Sequence, residues 1–122
     1  MKNEIVVEIV NEHFEYLNDI IGKKQIQSIV DATLNDEDIS DLTEETGGEN
    51  FNISFDINVL VSICTVVTTS IELYKAIFKK ESTEGIILKI FENISKSKTN
   101  SILKDEEIRK IIIKVLEKID EI

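Results

Sequence analysis

The chain contains no proline and no tryptophan, a single cysteine and a single histidine. Without proline, no helix is stopped by a locked φ and no polyproline recognition tail can form. One thiol, Cys64, excludes an internal disulfide. In its apolar surroundings it reads as a small core group of a protein in a reducing, cytoplasmic compartment. One His and one Cys fall short of the usual zinc ligand sets. The four glycines, Gly22, Gly47, Gly48 and Gly85, are too scattered to build a phosphate-cradling loop.

Basic charge is also missing where acidic charge collects. From Asp31 to Asp56 there are nine acidic residues and no Lys or Arg, while the other 96 residues hold 15 acidic groups against 14 basic ones. Nine of the ten units of net negative charge therefore reside in one stretch. That balance opposes binding to a nucleic-acid backbone, which needs clustered Lys and Arg. Immediately after it, Ile57–Ile71 carries no charged side chain. Fifteen residues fall short of the roughly 20 that a bilayer crossing needs. The run also includes Asn58, Ser62, Thr65, Thr68, Thr69 and Ser70, so it reads as a buried core helix and not as a membrane segment. Glu4 and Glu8 interrupt the opening segment, which does not read as a secretory signal.

At 122 residues and 42% apolar composition, with 23 isoleucines, the chain is expected to fold as one helical interaction domain, residues 1–122. Val6, Ile9, Val10, His13, Leu17, Ile20 and Ile21 recur at helical spacing and predict a helix over residues 4–21, stopped by Gly22. Ile26, Ile29, Val30 and Thr33 predict a second, over 24–34. Residues 35–50 read as an acidic connector with a turn at Gly47-Gly48. Phe51, Ile53, Phe55 and Ile57 then alternate with polar residues, which reads as a short β element over 51–57 or as an extended arm. Asp56 is placed to cap the apolar helix that follows; high β-branched content keeps a strand reading open there. Ser82 or Thr83 starts another helix, lined by Ile86, Ile87, Ile90, Phe91 and Ile94. Asp105 caps a last one, lined by Ile108, Ile111, Ile112, Val115, Leu116 and Ile119. The fold class is mainly α: a compact bundle of four to five helices.

Few residues carry chemistry. His13 and Cys64 make a nucleophilic pair arithmetically possible, but nothing in the spacing joins them and no oxyanion element accompanies Cys64. A calcium loop beginning at Asp36 would place Asp41 where glycine is required and Gly47 where the bidentate Glu is required, so the pattern fails. The expectation is a non-enzymatic protein with no catalytic residue, no metal and no cofactor. Glu4, Glu8, Glu12, Glu15 and Asp19 give the first helix an acidic outer face, which reads first as a solvated surface.

The compact size and the stretch NVLVSICTVVTTSIELYKAIFKK, Asn58 to Lys80, resemble the small adaptor domains of bacterial immune and signalling systems. The Ile-, Lys-, Asn- and Glu-rich composition resembles that of proteins from AT-rich bacteria and their phages. The resemblance implies an adaptor or regulatory subunit that docks an effector or self-associates as a homo-oligomer. The partner-binding residues expected from charge are Asp36, Glu37, Asp38, Asp41, Glu44 and Glu45, facing a basic protein surface. The alternative is a small acidic inhibitor or immunity protein covering the basic groove of an enzyme.

Overall fold

The helix that begins at Lys2 follows from apolar residues at helical spacing: Ile5, Val6, Ile9 and Val10 are all buried. It is α1, Lys2–His13, in a computed structural model that describes residues 2–37, 51–77, 82–96 and 102–120. Every element among the described residues is helical: α2 Tyr16–Ile20, α3 Lys23–Leu34, α4 Phe51–Ile77, α5 Thr83–Lys96 and α6 Asp105–Asp120. The fold is mainly α, with six helices described where four to five were expected. The chain gathers into two compact units, residues 1–64 and 65–122, and the boundary falls within α4.

In the first unit the expected single helix over 4–21 is two. The Phe14 N–H still donates to the Val10 carbonyl, but Leu17 donates to Phe14 and Asn18 to Glu15, each at 2.9 Å. The ladder thus tightens from four residues to three and restarts as α2. The tightening turns the chain about its axis. Phe14, Leu17 and Ile21 go inside, whereas His13 and Ile20, placed on the buried stripe by an unbroken helix, face solvent. Gly22 then links α2 to α3 at φ 94°, a conformation that glycine adopts without penalty. Its carbonyl accepts the Ile26 N–H at 2.9 Å and so opens α3. Both α1 and α2 pack on α3, which buries Ile26, Ile29, Val30 and Ala32.

The first unit also contains α4 as far as Cys64, with Ile57, Val59, Leu60, Ile63 and Cys64 buried. The short β element expected over residues 51–57 is the beginning of this 27-residue helix. Strict alternation would set Phe55 and Ile57 on one face, yet Phe55 is 55% exposed and Ile57 4%. A lone strand has no ladder to complete, and no strand lies among the described residues to pair with it. Asp56, expected as a cap, lies inside the helix and is buried.

In the second unit the rest of α4 buries Val66, Val67, Ser70 and Ile71. The Ser82 Oγ accepts the Gly85 N–H at 3.1 Å, which identifies Ser82 as the cap of α5. Ile86, Ile90 and Ile94 form its buried stripe, and α5 packs on α6. The start of α6 differs from expectation by one residue. Lys104, not Asp105, is the cap: its carbonyl accepts the Ile108 N–H, and its own N–H donates to Glu107 Oε1 at 2.9 Å. This is the reach-back half of a capping box. Leu103 before the cap and Ile108 at the fourth helical position are both buried, in the positions of a hydrophobic staple. The Arg109 guanidinium lies 4.8 Å from the Phe91 ring centroid and ties α6 to α5.

By length and composition, Phe55–Ala76 of α4 would suffice to cross a membrane, with mean hydropathy 1.6. A core helix passes the same test, and 56% of this one is buried.

Candidate binding groove

Of the six acidic residues expected to bind a partner, Asp36 and Glu37 are described and both are exposed at the end of α3; Asp38, Asp41, Glu44 and Glu45 lie outside the described residues, as does the Gly47-Gly48 turn. Asp36 and Glu37 already hold a local role. Asp36 has φ 60°, and its N–H donates to the Thr33 carbonyl at 3.2 Å. The Glu37 N–H donates to the Ala32 carbonyl at 2.8 Å. Together these bonds form a Schellman motif that satisfies the last carbonyls of α3.

The two residues with reactive side chains are unlike in setting. Cys64 is 1% exposed, and burial pushes its thiol up to about 12, with a backbone hydrogen bond pulling weakly the other way. At neutral pH it holds no thiolate, the form that a nucleophile or metal ligand requires. His13 is surface-lying, its Nε2 3.9 Å from Glu12 Oε2. Among the described residues no three His, Cys, Asp or Glu side chains gather as a metal site would need.

A concave surface of the first unit runs along the seam between α1 and α3. Three hollows of about 390, 250 and 190 Å³ adjoin there. The first and second share Asn3, and the second and third share Val7, Asn11 and Gln27, so they form one groove. Its floor is apolar: Val7 is half-buried, and Val10 and Ile26 are buried beneath. Its walls are carboxamides, Asn3, Asn11, Asn18, Gln27 and Asn35.

Two hydrogen bonds set these walls. Asn3 Nδ2 donates to Asp31 Oδ1 at 3.1 Å and joins α1 to α3, and Asn18 Nδ2 donates to Asn11 Oδ1 at 3.0 Å and joins α2 to α1. A carboxamide has two donor hydrogens and an oxygen with two lone pairs, so the bond between Asn18 and Asn11 saturates neither of them. Glu4 and Glu8 stand at the middle of the groove, with Lys2 and Lys23 toward its two ends. Among the described residues, no His, Cys, Ser, Thr or Tyr lines the groove. The arrangement suits reversible polar contact around a narrow apolar floor.

The charge pattern points to the connector and not to this groove. A signal was present: Asn3, Asn11 and Asn18 recur beside the apolar stripe of α1 and α2. Only the packing of α3 shows that Gln27 and Asn35 stand opposite them. No family model matches this chain, and no characterised protein or solved structure matches it either.

Proposed function

We propose that this chain is a non-enzymatic protein-interaction module, an adaptor or regulatory subunit whose first unit docks a basic-surfaced protein. One observation carries the reading. Residues 1–64 hold 14 acidic side chains against three lysines, whereas residues 65–122 hold ten against 11 basic ones. The two units thus differ in kind, one strongly acidic and one near neutral. A field concentrated on one unit steers a basic partner toward that unit and raises the encounter rate. It also opposes pairing of two first units, so self-association would have to use the second.

The test is capture of partners by the intact chain with chemical cross-linking, repeated after charge reversal of Asp36, Glu37, Asp38, Asp41, Glu44 and Glu45. Capture should weaken on reversal and with rising salt. Salt-independent capture through residues 65–122 would overturn the reading. The concentration of acid also favours a second reading, a small inhibitor that covers an enzyme's basic groove. An inhibitor would silence its captured enzyme at one-to-one stoichiometry; an adaptor would leave that activity intact.

A further inference from the structure

We infer that the groove between α1 and α3 binds an extended peptide segment of a partner, with a Lys or Arg of that segment set against Glu4 and Glu8. The inference rests on the interaction reading above and adds where the partner sits and what it presents.

Shape is the first argument. The groove is continuous along α1 from Lys2 to Asn11. At 1.5 Å per helical residue that stretch is about 14 Å long. An extended chain advances about 3.3 Å per residue, so roughly four residues of a partner lie along it. A second helix would need a broad apolar face, and the groove offers only Val7 and Leu34 at its surface, in separate hollows.

Chemistry is the second. An extended segment brings unpaired peptide N–H and C=O groups in alternation, which must find partners when covered. Carboxamides are neutral side chains that both donate and accept, so a wall of Asn11, Asn18, Gln27 and Asn35 satisfies either group wherever it falls. Such a wall reads main chain more than side chain. It would therefore tolerate varied sequences.

Charge is the third. Glu4 and Glu8 are one helical turn apart on α1 and border the same hollow. A partner's cation set against them would meet two carboxylates of one hollow. Asp31 is already engaged by Asn3. An anionic segment, or a phosphate backbone, would meet these carboxylates and be repelled.

The experiment titrates the full chain, ¹⁵N-labelled, with two pools of short synthetic peptides. One pool carries a central Lys or Arg, the other a central Glu, with the flanking positions degenerate. The expected result is binding of the basic-centred pool alone, with shifts in the side-chain amide signals of Asn11, Asn18 and Gln27. The exposed substitution Gln27→Arg and the pair Glu4→Gln with Glu8→Gln should each weaken binding about tenfold or more, with unchanged far-UV circular dichroism. Equal binding of both pools, no binding by either, or shifts at Tyr16 and Ile20 or within residues 65–122 would overturn the groove. So would concentration-dependent self-association abolished by Gln27→Arg, which would make a second copy the occupant. If cross-linking still captures a basic partner by way of residues 1–64 and Gln27→Arg has no effect, the interaction reading stands and the groove falls.

Discussion

The Glu37 N–H reaches back five residues to the Ala32 carbonyl, 2.8 Å away, and with the bond from Asp36 to Thr33 it fixes how α3 ends. It forms only because Asp36, between them, takes a left-handed backbone conformation at φ 60°. That region costs an ordinary L-residue roughly 1–2 kcal/mol, less for Asn and Asp, and nothing for glycine. Replacing Asp36 with Gly is therefore expected to raise stability by about 1 kcal/mol, and Asp36→Val to lower it by at least as much. Urea unfolding midpoints measure both. A destabilised Gly variant would mean that the Schellman geometry is wrong.

Gly22 makes the complementary case. Its φ of 94° is one that side chains rarely adopt, although a Cβ built there meets nothing within 4 Å. Gly22→Ala should cost about 1–2 kcal/mol through backbone strain alone. Because no contact is at stake, Gly22→Ser should cost a similar amount. A large gap between the two, read from thermal unfolding, would contradict that account.

Ser70 is fully buried in α4, and its Oγ has no hydrogen-bond partner among the described residues. A buried hydroxyl left unsatisfied costs about 1–3 kcal/mol. Ser70→Ala is thus expected to stabilise the protein by about 1 kcal/mol, against the usual direction of core substitutions. Calorimetry that shows a lower melting temperature for the variant would refute it.

Asp56 supplies a pH dependence. Burial desolvates its carboxylate and raises its pKa above the ordinary 3.8. The neutral form is the one that the fold favours, so Asp56's stabilising contribution is complete below 3.8 and is lost as pH rises through the raised folded value. Asp56→Asn removes this titration. The variant should melt higher than the parent at neutral pH, and the difference should shrink in acid. A difference that grows in acid would reverse the assignment.

Much of the architecture could be read from residue spacing, and the exceptions share a cause. The stripes Ile86–Ile90–Ile94 and Ile108–Ile111–Ile112–Val115–Leu116 are buried as their periodicity required, because each helix has one dominant apolar side. Where two nearly equal patterns competed, tertiary packing chose between them. Over 51–57 the alternation of Phe and Ile lost to the helical set Ile57, Leu60, Ile63 and Cys64, which brings more side chains into the core. At Phe14 the sequence shows no proline or glycine to announce a break, yet burying Phe14, Leu17 and Ile21 together requires one. The groove was least legible. Its walls come from helices separated in sequence, and carboxamides carry no charge pattern to mark them.

The sealed thiol of Cys64 has a practical consequence. It is the chain's only sulfhydryl, it lies out of solvent, and it holds its proton across the neutral range. A cysteine introduced at exposed Ser28, which stands beside the groove without lining it, would then be the sole attachment point for a dye or spin label, with no need to remove the native one. Occupancy between α1 and α3 becomes directly observable by fluorescence or electron resonance in an otherwise unaltered molecule.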